Sequence, residues 1–380
     1  MQLLPYTEDH HRFRARLRKF MAEEVVPCVE EWEKEHIVPR DIWKKMGREG
    51  FVCPALSREY GGGGGDFLHS AIVIEEIART NHSGLATPLH SDIVVPYIES
   101  YASEELKRKY LPLCAAGEMI TAVAMTEPDA GSDLASMQTT AEADGDDIVL
   151  NGSKTFITNG INCDLVIVAA KQPGADNPHK ALSLYLVEDG TPGFNKGRRL
   201  EKMGFHSQDT AELFFTDCRI PQTNRLGAEG AGFYMLMEKL QQERLVCAVM
   251  GVAAAEQIME WTMRHCRETV GPKGPLTRSQ AVSFALVEMC TDVKLGRTFL
   301  DKLIVQHMAG ENIVIETSMA KYWTTELAKR IADRALDLIG QGGTLETTPP
   351  VRAFRDARVM SIFAGTNEIM KGIVAKFMGM

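Results

Sequence analysis

The apolar residues of this chain change their spacing twice, so any fold must hold a helix-to-strand switch near residue 118 and the reverse near residue 225. Residues 7–35 place Phe13, Leu17, Phe20, Met21, Val25 and Val29 at helical intervals, which predicts one long amphipathic helix. A second follows Pro39 over 40–49, and 67–80, 92–102 and 104–116 supply three more. From 118 the pattern breaks into an apolar run at 119–125 and then short segments at 139–143, 147–150, 154–158, 165–170, 182–187 and 210–215. The Asp-Gly-Asp-Asp at 144–147 and Asn151-Gly152 read as hairpin turns. Helix returns over 232–268, 279–308 and 313–339, with shorter helices at 351–361 and 368–377. The expected fold is α+β: an N-terminal helical domain (1–117), a middle β domain (118–225) and a C-terminal antiparallel helical bundle (226–380).

Composition narrows the function. A net charge of −9 argues against nucleic acid or an anionic membrane as the main partner. The longest purely apolar run, 245–255, is too short to span a bilayer, and residues 1–20 mix acids, bases and histidines where a signal peptide would be apolar. A cytoplasmic place without membrane insertion is expected. Eight cysteines without a Cys-x-x-Cys pair read as reduced thiols, and the ten histidines show no two-ligand spacing, so no metal is expected. The five glycines at 61–65 lack a leading strand and a following Gly-Lys-Ser/Thr; they read as a flexible helix connector, not a phosphate loop.

Three stretches carry polar groups at turns. At 122–133 an apolar run delivers Thr126, Glu127, Ser132 and Asp133 onto a Pro/Gly bend, where hydroxyls and free N–H groups suit a flat ring with a phosphate tail; an ordinary interdomain turn fits that bend equally well. At 154–160 a strand ends with Phe156 and Thr158 two residues apart on one face. At 362–369 a Gly-Thr break opens the last helix and offers N–H groups and the Thr366 hydroxyl to an anionic or carbonyl oxygen, or uses Thr366 as a plain N-cap.

In their order and spacing these stretches resemble the acyl-CoA dehydrogenase family, flavoproteins that oxidise the α,β bond of acyl-CoA thioesters. The likeness covers nearly the whole chain. It rests on Ala124, Met125, Thr126, Glu127, Ala130, Gly131, Ser132 and Asp133, and on Phe363, Gly365, Thr366, Asn367, Glu368 and Ile369. Asp337, Gly340, Gly343, Arg352 and Asp356 match part of a C-terminal signature, from which Gln341 and Thr344 depart. Gln241, Gln242, Glu243, Arg244 and Leu245 look most like the long-chain and isovaleryl branches. The resemblance implies a middle β-barrel or sandwich, a C-terminal four-helix bundle and FAD as cofactor. It implies that Met125, Thr126, Ser132, Phe156, Thr158, Thr366 and Glu368 touch the flavin. Arg267 and Gln280 would reach the adenosine half of a neighbouring subunit's FAD, in a homo-oligomer that is usually a tetramer. Acyl-CoA is the implied substrate and electron-transfer flavoprotein the implied acceptor.

Such chemistry needs a base at the α-carbon, and the family's commonest pattern has a glutamate where this chain has Ala364. Glu243 is the replacement candidate: Leu236, Leu240, Glu243, Cys247 and Met250 follow helical spacing, which puts the carboxylate beside an apolar stripe where burial raises its pKa. The competing reading is a surface pair of Glu243 with Lys239 at i, i+4. The backbone N–H of Ala364 would serve the thioester oxygen whatever its side chain. Asp92, read as an acid at a helix start, is the second residue of interest; facing the acyl pocket instead, it would suit a polar or cyclic acyl group or act as a second base. An oxidase, a desulfinase, a ring-thioester dehydrogenase and a non-catalytic flavin- or nucleic-acid-binding member are the alternatives.

Overall fold

The computed structural model describes residues 3–81, 84–174, 178–272 and 274–380. Helices α1 (Glu8–Phe20), α2 (Val29–Glu35), α3 (Arg40–Arg48), α4 (Phe67–Arg79), α5 (Val95–Tyr101) and α6 (Glu104–Ala115) form the N-terminal part. The single helix expected over 7–35 is broken by a π turn at Met21–Val25 and a 3-10 turn at Val26–Cys28. Pro27 has no N–H to give, and the break falls at that residue.

The glycine run at 61–65 connects helices as expected, but as a packed turn. The N–H groups of Gly61, Gly62, Gly63, Gly64 and Gly65 donate to the carbonyls of Arg58, Ser57, Cys53, Leu56 and Pro54, which leaves none for a phosphate. A Cβ on Gly62 would lie 2.3 Å from the Leu56 oxygen, so close approach selects glycine there.

The middle region holds β1 (Thr121–Ala124), β2 (Thr140–Asp144), β3 (Asp147–Thr158), β4 (Leu165–Lys171), a single turn α7 (Pro178–Ala181), β5 (Leu182–Glu188), β6 (Phe194–Arg199), β7 (Thr210–Pro221) and β8 (Arg225–Leu226). Among the described residues the strand order is β6-β7-β3-β2-β4-β5-β8, with β1 beside β4 in parallel. The turn at 144–147 joins β2 to β3 as a hairpin. Asn151-Gly152 is no turn: β3 runs through it and stays paired with β7, with a register shift between Leu150 and Gly152. Glycine at that bulge lets Thr139 pack 2.5 Å from where a Cβ would stand. The unbroken apolar run of β4 follows from burial on both faces. Val166, Val168 and Ala170 join the core inside the sheet, while Leu165, Ile167 and Ala169 join the core shared with the N-terminal helices.

Helices α8 (Gly232–Glu268), α9 (Gln280–Met308), α10 (Val314–Ile339), α11 (Pro349–Met360) and α12 (Asn367–Phe377) close the chain. By length and composition α8 could cross a membrane, yet 72% of its most apolar window is buried inside the fold, against α4 and α10 above all. It is the axis of the C-terminal bundle. All eight cysteines are unpaired and six are buried.

Candidate active site

A cavity of about 190 Å³ lies where the three regions meet. Thr158 at the end of β3 and Phe363 and Ala364 ahead of α12 line one part of it; Ile74 and Ile77 of α4, Leu89 and Ile93, and Val246 through Trp261 of α8 line the rest. The second and third stretches singled out in the sequence therefore converge on one apolar space.

Glu243 sits one turn before Val246 and Cys247 on α8 and is 3% exposed. Its Oε1 accepts a 2.7 Å hydrogen bond from the Tyr97 hydroxyl, delivered by α5. Burial pushes this carboxylic acid up to about 7; the Tyr97 hydrogen bond and the charge of Arg244 pull the other way without cancelling it. The surface-pair alternative fails, because Lys239 Nζ donates to Ser100 Oγ instead (2.6 Å). Arg244 is also buried, but its guanidinium turns to Ser318 Oγ on α10 (3.1 Å). Sequence spacing located Glu243 and missed Tyr97, which lies 146 residues away in the chain.

Ala364 adopts φ +51 and Gly365 φ +85, so two successive residues are left-handed. Thr366 then caps α12, its Oγ1 accepting from the Ile369 N–H at 3.3 Å. Glu368 is exposed in the first turn of that helix.

The first stretch is held by a buried pair that the sequence reading did not find. Lys154 Nζ lies 2.8 Å from Glu127 Oε1 and 3.1 Å from the Met125 carbonyl, and both side chains are shielded from water. Glu127 also accepts from the Thr139 N–H (2.9 Å), and the Thr155 N–H donates to the Thr126 carbonyl (2.9 Å). The available signal was phase: Lys154 falls in step with buried Ile148 and Leu150 of β3. Beside this pair, Met125 and Thr126 are half-buried and Ser132 is exposed. Phe156 is 67% exposed at φ +57, where a second register shift bends β3. A large ring held out of the core in a left-handed conformation marks a surface built to be covered.

Asp92 does not start a helix. It lies inside a π turn, Leu89–Val94, and is 4% exposed. Pro96 has no N–H for the Asp92 carbonyl four residues back, and Gln242 of α8 supplies a donor instead (2.7 Å). Asp92 Oδ2 is buried with no hydrogen-bond partner among the described residues, and burial pushes the acid up to about 7 against the nearby Ser70 hydroxyl. Leu89 and Ile93 line the cavity; neither Asp92 nor Glu243 is among its wall residues. Arg267 at the end of α8 and Gln280 at the start of α9 are exposed and away from it.

His10, Asp66 and His69 bring three metal-type ligands together, but interlocked capping boxes account for them. His10 Nδ1 accepts from the Thr7 N–H while Nε2 meets Asp66 Oδ1 at 2.9 Å; His69 Nδ1 accepts from the Asp66 N–H and Nε2 meets Asp9 at 3.3 Å. His90 is likewise engaged, between Thr121 and the Cys114 carbonyl.

Residues 7–118, 122–218 and 230–379 match, in turn, the N-terminal, middle and C-terminal domains of acyl-CoA dehydrogenase. The chain is 43% identical over 372 residues to the long-chain specific acyl-CoA dehydrogenase, mitochondrial, of Rattus norvegicus, covering 98% of this chain and 86% of the relative. The chain belongs to the acyl-CoA dehydrogenase family. Within the acyl-CoA dehydrogenases it is also similar to isovaleryl-CoA dehydrogenase, mitochondrial, of Pongo abelii, at 32% identity over 97% of this chain and 88% of the other. The crystal structure of acyl-CoA dehydrogenase from Geobacillus kaustophilus superposes with a TM-score of 0.97 at 51% identity, covering 99% of each chain. The resemblance to the family and to its long-chain and isovaleryl branches, read from the motifs, is thereby established.

Proposed function

We propose that the protein is an FAD-dependent acyl-CoA dehydrogenase in which Glu243 removes the α-proton and the Ala364 N–H stabilises the thioester oxygen. The observation that carries this reading is a buried carboxylate, held by Tyr97 one helical turn from an apolar cavity, in a chain whose Ala364 can accept no proton. The exposed, strained Phe156 and the half-buried Met125 and Thr126 fit a flat ring; with Ser132, Thr158, Thr366 and Glu368 they are the residues that would hold FAD. When bound, the flavin supplies the hydride acceptor for the β-carbon. Glu243 takes the α-proton into a carboxylate that burial has made a stronger base, and the Ala364 N–H donates to the oxygen where charge develops. Apolar walls exclude water from both events.

Electrons then pass to an electron-transfer flavoprotein in this reading. Exposed Phe284, Val287 and Leu295 on α9 support burial of that face in a homotetramer, where Arg267 and Gln280 reach a neighbour's FAD. Purified protein is expected to be yellow and to bleach anaerobically with acyl-CoA. A colourless protein that no acyl-CoA alters would end the proposal.

The wall residues of α8 run from Val246 to Trp261, a span of about 22 Å at 1.5 Å per residue. A carbon chain advances roughly 1.3 Å per bond, given single bonds near 1.5 Å, so a wall of this length can flank an extended acyl chain longer than butyryl. Ala254→Phe is expected to leave the butyryl-CoA rate within about twofold and to cut that of palmitoyl-CoA at least tenfold, a methylene being worth about 0.8 kcal/mol. Equal loss on both substrates would contradict this placement.

With the Glu243 acid near 7, its base form grows as pH rises, so the bleaching rate is expected to climb through about pH 7. Tyr97→Phe removes a donor that favours the charged form and is expected to move that limb to higher pH. The shift is read from stopped-flow rates between pH 5.5 and 9.

The buried Asp92 carboxylate, whose Oδ2 has no hydrogen-bond partner among the described residues, supports a second reading, dehydrogenation of a cyclic or polar acyl-CoA. Asp92→Asn would then abolish turnover of the ring thioester and spare straight chains; unchanged preference and rate would dispose of it.

A further inference from the structure

Building on the reading above, we infer that Lys321 is a positioning residue for the oxyanion donor. Its buried ammonium pins the left-handed turn that presents the Ala364 N–H and places positive potential behind the thioester oxygen.

Lys321 lies on α10 and has no exposed surface. Its Nζ donates to the Gly365 carbonyl at 2.6 Å and to Asn367 Oδ1 at 3.2 Å. Among the described residues no carboxylate comes within 4.0 Å of it, so both acceptors are neutral. Asn367 is itself fixed, its Nδ2 donating to Glu326 Oε1 (2.8 Å) and Thr325 Oγ1 (3.1 Å). Helix α10 thus forms a rigid polar floor under residues 364–367.

That floor matters because the turn is strained. Ala364 carries a Cβ at φ +51, a conformation that surrounding contacts must enforce. Fixing the Gly365 carbonyl holds the 365–366 peptide plane, which anchors the downstream end of the left-handed turn whose upstream end carries the Ala364 N–H. The charge adds a second effect. A neutral donor would satisfy one carbonyl, and a buried ammonium whose nearest carboxylates, Glu368 and Glu326, make no direct contact with it is a poor way to build stability. Cys247, a wall residue of the cavity, lies close enough to feel that charge, so the ammonium stands just behind the wall. In a water-poor site such a charge favours negative charge developing on the thioester oxygen.

The test uses full-length, flavin-loaded protein with Lys321→Met, Lys321→Gln and Lys321→Arg. Bleaching at saturating acyl-CoA and α-proton exchange of a β-thia acyl-CoA analogue in D2O are both measured. Loss of a direct oxyanion donor slows enzymes about 10²–10³-fold, and a group acting through the turn is expected to cost roughly 10–100-fold. Met and Gln variants should slow both processes by that factor, with KM within about twofold and flavin content retained; Arg should return to within roughly threefold of wild type. Should Met fail to fold, the gap between Gln, which keeps a donor, and Arg, which keeps the charge, carries the test. Gln at wild-type rate, or losses in Arg and Gln alike that track lost flavin, would overturn the role. If wild type is itself not bleached by any acyl-CoA, the dehydrogenase reading fails first, which separates the two outcomes.

Discussion

Glu243→Gln is expected to lower the rate of anaerobic flavin bleaching by roughly 10²–10⁴-fold, the range a positioned general base contributes, while flavin content and acyl-CoA affinity stay near wild type. Binding survives because the amide oxygen can still accept from Tyr97 and the replacement has the shape of the original. A second readout separates a buried base from a surface acid. The Glu243 acid is raised from its ordinary 4.5 to about 7 in the folded protein, so between those pH values the unfolded chain gives up its proton more readily than the native one. Stability from this site is therefore full below about 4.5 and is lost as pH rises toward 7. Glu243→Gln, which cannot ionise, is expected to melt higher than wild type at pH 8 and similarly at pH 4.5. Equal melting of both proteins at pH 8 would show that the carboxylate is solvated.

Glu127→Ala carries the largest expected effect on stability. It leaves the Lys154 ammonium, with a fully buried side chain, facing only the Met125 carbonyl, and strips the Thr139 N–H of its acceptor. Breaking a buried pair in this way costs about 3–5 kcal/mol, a large part of the roughly 5–15 kcal/mol that holds a domain folded. The Met125-Thr126 bend would move with it, so flavin is expected to be lost before the fold is. The double variant Glu127→Gln with Lys154→Met removes both charges together and should recover much of the stability, because the two sites are coupled. Denaturant melts of the two variants, with flavin absorbance followed in the same samples, decide it. A Glu127→Ala protein that keeps wild-type stability would mean that water reaches the pair.

Period was the part of the fold most legible in the sequence. Helical stripes placed α8 through α12 to within a residue or two, because burial of one face forces the spacing. What failed was local. Asn151-Gly152 has turn chemistry, but the neighbouring strand β7 pairs with both flanks and keeps it extended, taking up the register shift with an extra residue of its own, which no window of neighbouring residues reveals. Strand β6 escaped notice because Asn195, Lys196, Gly197, Arg198 and Arg199 carry no alternation; it forms by pairing with β7. The π turn around Asp92 depends on Pro96 and on a donor from α8, and only the second is beyond sequence reach.

The candidate site divides in the same way. Glu243 stood out because a carboxylate on an apolar stripe breaks the pattern, and the loss of an acid at Ala364 sharpened the question. Tyr97, Lys154 and Lys321 did not stand out, since each acquires its meaning from a partner tens of residues distant. Long-range polar contacts of buried groups are where pattern reading stops.

The central claim, that Glu243 is the base, is tested most directly by proton transfer uncoupled from hydride transfer. An acyl-CoA analogue with sulfur in place of the β-carbon can lose an α-proton but no β-hydride, and its deuterium uptake in D2O can be followed with flavin-loaded protein. The account predicts uptake by wild type that rises through about pH 7 and falls at least 10²-fold in Glu243→Gln at equal analogue binding. Uptake by the variant at the wild-type rate would contradict it.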